Sequence, residues 1–108
     1  NNFIQKDPVI HIQENVTAIK SSEFYKRKDL REIHIHKNII KIGNSAFFGC
    51  TNITTIYCEP LTPPKVGLGA FQGIPKNVKI YVPQASVDTY KTADSWKKYA
   101  AQIVGYDF

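Results

Sequence analysis

The chain has 108 residues, 43% of them hydrophobic, and 14 Lys and Arg against 9 Asp and Glu give a formal net charge of +5. Such a length sets one small domain, the hydrophobic share is that of a folded globule rather than a disordered tail, and the charge attracts acidic partners only loosely. No run of about eighteen apolar residues is present, which excludes a membrane-spanning helix; no signal peptide opens the chain, whose start at Asn1-Asn2-Phe3 without Met reads as a mature or excised fragment.

Residues 1–8 read as an irregular lead-in, with Phe3 and Ile4 either covering an open end or continuing from an upstream repeat. From residue 9 onward the chain repeats itself. At an offset of 23, Ile10-His11-Ile12 falls on Ile33-His34-Ile35, Asn15 on Asn38, Ile19 on Ile42, Ser22 on Ser45 and Phe24 on Phe47. Ile33 and Ile35 fall in turn on Ile56 and Cys58. One extra residue near Pro63-Pro64 lengthens the next offset to 24, so that Phe47 meets Phe71, Gly49 meets Gly73, and Ile56 and Cys58 meet Ile80 and Val82. A fixed period in the low twenties predicts a repeat solenoid, in which each unit buries its apolar face only against its neighbours.

Each unit has an internal order. In Ile-x-Ile the side chains alternate, so Ile33 and Ile35 share one face of a strand and His34 takes the other. Asn38 follows where a turn is needed, and Asn tolerates left-handed backbone. Ile39 and Ile42 supply a second buried edge. Ser45-Ala46-Phe47-Phe48-Gly49 reads as one or two helical turns, capped by Ser45, with Phe47 inward and Gly49 as the stop. The expected architecture is therefore a leucine-rich-repeat type of solenoid: short parallel strands stacked on one side, short helical turns on the opposite side.

The pattern I-x-I-x-x-N-[VI]-x-x-I-x-x-S-x-[FA]…G-C-x-x-[LI], best matched over residues 33–53, resembles the BspA-like branch of the leucine-rich repeats. The resemblance covers residues 9–83, about three to four coils. Residues 82–106 also resemble the ending that these bacterial proteins often carry. The first coil departs from the pattern, with Glu23 in place of Ala and Lys26-Arg27 in place of Gly-Cys, and reads as terminal or irregular. The third carries the Pro-rich insertion Glu59-Pro60-Leu61-Thr62-Pro63-Pro64.

Residues 84–108 break the period. Ser86 is placed to cap a short helix carrying Val87 and Tyr90, and Trp96, Tyr99, Ala100 and Ile103 continue an apolar stripe at helical spacing. A helical C-terminal cap over the last coil is the expected role, because an uncovered strand edge aggregates. The whole is one domain over 1–108, divided into lead-in 1–8, coils 9–83 and cap 84–108.

Stacking in register would bring His11, His34, Tyr57 and Tyr81 into one outward row on the concave face, with Gln13, His36, Glu59 and Pro83 in a second. His11, His34, His36, Tyr57 and Tyr81 are the candidate binding residues, since exposed rings with polar tips suit protein or glycan contacts. The same rows also serve as cross-strand packing that stiffens a sheet. Four strands would span only about 14 Å, less than an interface of about 800 Å² per partner needs. The three His could collect adventitious nickel or zinc, but no spacing matches a closed site, so no metal and no cofactor are expected.

Cys50 and Cys58 read as two buried thiols; a disulfide between them would join different sides of a coil. The run Lys26–Arg31 is broken by Asp29 and reads as a solvated loop rather than a nucleic-acid patch. Asn15-Val16-Thr17 and Asn52-Ile53-Thr54 match the glycosylation acceptor pattern, which this turn chemistry generates by itself. No G-x-S-x-G, phosphate-cradling loop or H-E-x-x-H is present, so no enzyme is predicted.

Resemblance to the BspA-like family implies a secreted or surface-displayed bacterial protein used in adhesion or recognition of a host protein or glycan. The alternatives are a structural C-terminal capping piece of a longer array and a weak polyanion binder. No specific nucleic acid and no membrane insertion are expected, and an open N-terminal end predicts self-association.

Overall fold

The computed structural model describes residues 2–108. Among these described residues, nine strands form two sheets. The strands β1 (Phe3–Lys6), β2 (Val9–Ile12), β4 (Glu32–Ile35), β6 (Thr55–Cys58), β8 (Lys79–Pro83) and β9 (Ile103–Tyr106) make a six-stranded sheet in the order β1-β2-β4-β6-β8-β9. The two-residue strands β3 (Ala18–Ile19), β5 (Lys41–Ile42) and β7 (Lys65–Val66) make a second, three-stranded one. All pairings are parallel except that of β1 with β2.

The register follows the sequence period. Ile10 pairs with Ile33, Ile33 with Ile56, Ile56 with Ile80 and Ile80 with Ile103, and all five are buried. A shift of one residue would turn this entire set to solvent, which is why the Ile-x-Ile pattern sets the pairing so firmly. Behind the sheet, Phe24, Phe47 and Phe71 stack at 5.2 and 5.5 Å with their planes within 7° and 3°. Phe3 meets Phe24 edge-on at 4.9 Å, and Trp96 and Tyr99 lie on Phe71 at 5.8 and 5.7 Å.

Several expectations need correction. Residues 3–6 are not irregular: they form β1, which pairs antiparallel along the outer edge of β2. With Phe3 on Phe24, the first of the two readings for this segment holds: Phe3 covers the end of the stack, which the self-association expectation had left open. Arg27 ties this hairpin down by donating to Asp29 and to the Gln5 side-chain oxygen, both within 2.9 Å. The first coil is also not irregular. Phe24 takes its place in the stack, and Lys26 adopts φ 55° where later coils have Gly49 and Gly73 at 72° and 90°.

The segments around Ser22, Ser45 and Gly69 are turns and not helices. Alternate N–H groups reach the next coil: Phe24 to Ala46, Lys26 to Phe48, Phe47 to Ala70 and Gly49 to Gln72, at 2.6–2.8 Å. The N–H groups between them close three residues back, as Tyr25 does on Ser22 and Phe48 on Ser45. A helix would turn every N–H along its own axis and forfeit these inter-coil bonds. Left-handed backbone at Ser22, Ser45 and Gly69 makes the alternation work, so Ser45 is not a helix cap. Asn38 lies in a turn, as expected, and makes it without left-handed backbone.

Close stacking has a steric consequence at Gly43. A Cβ there would overlap the backbone of Lys20 and Ser21 in the preceding coil. Backbone cannot swing aside as a side-chain tip can, so Gly43→Ala is expected to cost about 1–3 kcal/mol. Urea midpoints will check it; an unchanged midpoint would mean that the coils do not approach this closely.

After β8 the chain runs through a 3-10 turn (Gln84–Ser86), α1 (Val87–Thr92) and a second 3-10 segment (Lys97–Gln102) into β9. Ser86 precedes α1 but does not cap it; its Oγ donates to the Leu61 carbonyl at 2.7 Å. Ile103 belongs to β9, not to a helical stripe. Trp96 and Tyr90 are fully buried and donate to the carbonyls of Pro64 (2.7 Å) and Pro60 (2.6 Å), so the Pro-rich insertion is the seat of this segment. Among the described residues no helix is long and apolar enough to cross a membrane.

Candidate functional site

Strands β2, β4, β6 and β8 bury alternate Ile, Cys and Val side chains and send the ones between them outward. Parallel pairing sets these outward residues side by side: His11 against His34, His34 against Tyr57, and Tyr57 against Tyr81. Their rings form a continuous stack, with centroids 4.3, 4.6 and 5.2 Å apart and planes 20°, 19° and 20° from parallel. Because each ring face lies on its neighbour, the row offers solvent its ring edges, with imidazole nitrogens at one end and phenol oxygens at the other.

His36 does not join this row. The strand ends at Ile35, and His36 turns in until it is 7% exposed. Its Nε2 lies 2.8 Å from the Gln13 carbonyl, and its Nδ1 accepts the Asn38 N–H at 3.1 Å. Those two contacts require a neutral ring with the proton on Nε2. This corrects the expectation that His36 shares the exposed face with His34. His11 and His34 lie face to face, their ring centroids 4.3 Å apart.

The electrostatics of the row are uneven. Partial burial, then the neighbouring His34, hold His11 below the usual imidazole range, with Glu32 opposing and Lys6 adding to the effect. Glu32 lies 3.6 Å from His34 Nε2, an ion pair when that ring is protonated. Burial raises the Tyr57 phenol, with Glu32 next in weight. Arg27 holds the Asp29 carboxyl well below the usual carboxylate range through their hydrogen bonds, so this arginine is committed to a local pair.

Two residues that were not singled out from the sequence lie on part of this face. Tyr106, at the end of β9, lies 5.2 Å from Tyr81 and 5.4 Å from Tyr57, and Phe108 lies 6.4 Å from Tyr57. The signal was there: Ile103 stands 23 residues after Ile80, so the period continues one step beyond the last predicted strand. Beside them opens a cleft of about 860 Å³, where the exposed Ile40 and Leu61 face Tyr106 and Phe108, with Glu59 and Lys37 among its polar lining.

Both cysteines are free and buried. Cys50 donates to the Phe24 carbonyl at 3.0 Å. Cys58 lies 3.6 Å from the Tyr90 hydroxyl, whose own proton goes to Pro60. Burial pushes the thiols up to about 11 and about 12. The folded state therefore holds these protons more tightly than the unfolded chain, whose thiols ionise near 9.0. Their contribution to stability is full below pH 9.0 and is lost as pH rises through 11 to 12. At pH 8 a thiol reagent is expected to label the urea-unfolded chain quickly and the folded chain hardly at all; rapid labelling of folded protein would place a thiol at the surface.

A family model described as the BspA type leucine-rich repeat region (6 copies) matches residues 6–93. No curated protein matches the chain.

Proposed function

The chain belongs to the BspA type leucine-rich repeat family, and from that premise we propose that it is a non-catalytic binding module of a secreted or surface-displayed bacterial protein. Its ligand is a host protein or glycan, met on the outward face of the large sheet by His11, His34, Tyr57 and Tyr81. The observation that carries this reading is the unbroken stack of those four rings. Four outward aromatic or imidazole side chains in one line make a rigid surface whose edges carry hydrogen-bonding atoms at fixed spacing. Six strands also widen the face to about 24 Å at roughly 4.8 Å per strand, which eases the limit that four strands would set. Fold alone does not fix a ligand, so the site must carry the case.

The test immobilises the chain and offers extracellular-matrix proteins, glycans and heparin at low and physiological salt, beside a Tyr57→Ala/Tyr81→Ala variant. Saturable, salt-resistant binding lost in a variant that still folds is the expected result. Silence, or heparin binding alone that vanishes with salt as phosphate-like contacts do, would remove the adhesion reading.

A structural role is the second reading, favoured by the packing of residues 84–108. Trp96 and Tyr99 close on the last Phe of the stack, and β9 extends the sheet beside β8. In this reading the chain is the C-terminal capping piece of a longer repeat array and has no ligand of its own.

A further inference from the structure

The C-terminal residues lie across the binding row instead of running away from it. Tyr106 pairs with Pro83 at the end of β9, next to β8. Its ring nevertheless reaches Tyr81 and also Tyr57, which belongs to β6, two strands away. Phe108, two residues on, meets Tyr57 and packs on Tyr106 at 4.7 Å. Side chains two apart in an extended segment point to one face, and here that face is the row. The angles differ in kind from those within it. The row's own rings are within 20° of parallel, whereas Tyr106 and Phe108 cross Tyr57 at 69° and 78°. That is the edge-to-face arrangement that the quadrupoles of aromatic rings favour. Both tail rings remain 40% and 48% exposed, so they sit on the row without being buried in it. His11 and His34, at the far end, are left uncovered.

We propose that Tyr57 and Tyr81 form a docking site for an extended peptide bearing two aromatic residues around an acidic one, and that Tyr106-Asp107-Phe108 is its intramolecular occupant. The tail shows what the row accepts: rings at alternate positions, edge-to-face on Tyr57 and tilted by 56° on Tyr81. The acidic residue between them suits a chain of net charge +5, and Lys37 lines the same cleft as Asp107, with Glu59 also in its lining. A partner carrying this pattern must lift the tail, and doing so joins the cleft and the row into one surface. The proposal rests on the reading of the row as a binding face and names the partner class for it.

The experiment compares the full chain with a Tyr106→Ala/Phe108→Ala variant, in which exposed rings are removed and the fold is checked by amide spectra. The probe is the synthetic peptide acetyl-Gly-Tyr-Asp-Phe, with a control in which both rings are Ala. Ring resonances of Tyr57 and Tyr81 are followed by NMR. The expected result is saturable shifts on the variant, binding at least about tenfold weaker on the unchanged chain, and no shift with the control. Equal binding to both proteins would overturn the tail as occupant. No shift on the variant up to a few times about 1 mM, the weak end of specific affinity, would overturn the docking site. In the ligand panel, binding lost in Tyr57→Ala/Tyr81→Ala yet unchanged in Tyr106→Ala/Phe108→Ala would sink the tail's role and leave the binding face standing. A silent panel with peptide binding retained would do the reverse.

Discussion

Replacing Phe47 by Ala is expected to cost about 3–5 kcal/mol, enough to bring so small a domain to the edge of unfolding at room temperature. Phe47 is the middle ring of three, fully buried, with Phe24 at 5.2 Å on one face and Phe71 at 5.5 Å on the other. Its removal leaves a void between two coils whose spacing is set by backbone hydrogen bonds on either side, from Phe24 to Ala46 and from Phe47 to Ala70. Those bonds hold the coils apart, so the site cannot collapse to refill the space, and the cavity term is felt in full. Phe47→Leu retains most of the volume and should lose much less. Chemical denaturation of both variants gives the comparison. A Phe47→Ala chain within about 1 kcal/mol of the original would mean that the stack is not the spine of the core.

Trp96→Ala is the second large effect, again about 3–5 kcal/mol. The indole is fully buried against Tyr90 at 5.1 Å and Phe71 at 5.8 Å, and its Nε1 donates to the Pro64 carbonyl at 2.7 Å. Losing it removes the largest side chain between residues 84–108 and the last coil, and leaves a buried carbonyl without its donor. The damage should be local first. Amide exchange in β9 is expected to speed up well before that in β2, β4 and β6, since segments with few remaining contacts open below the global unfolding energy. Trp96→Phe separates the two causes: it keeps most of the packing and removes only the hydrogen bond, at about 1–3 kcal/mol. Unchanged β9 exchange in Trp96→Ala would show that the segment is held by other means.

Much of the fold was legible in particular residues. Ile10, Ile33, Ile56 and Ile80 at nearly constant spacing announced both the strands and their parallel register, and Phe24, Phe47 and Phe71 announced the stack behind them. Side chains on a period of two have only two faces to choose from, so the outward row of His11, His34, Tyr57 and Tyr81 could be read as well. Legibility stopped where the period stopped. The β1 hairpin, the turn between α1 and β9, and the return of Tyr106 and Phe108 over the row have no repeated copy against which to be aligned.

The turns failed for a different reason. Ser-Ala-Phe-Phe-Gly has ordinary helical propensity, and local preference spoke for a helix. Inter-coil hydrogen bonds from alternate N–H groups outweighed it, and they drew Lys26 into left-handed backbone where no glycine stands. His36 was misplaced in the same way, because alternation carried on past Ile35 in the sequence while the strand itself ended there.

By itself, then, the sequence determined the repeat, its period, the buried set and the order of the outward rings, because burial against an identical neighbour imposes one pattern on every coil. Tertiary structure alone decided what lies at the two ends and what lies on the face. Those placements rest on single contacts between residues far apart in the chain: Phe3 on Phe24, Trp96 on Pro64, and Tyr106 across Tyr81 to Tyr57. A contact made once leaves no periodic trace, and only the packed chain reveals it.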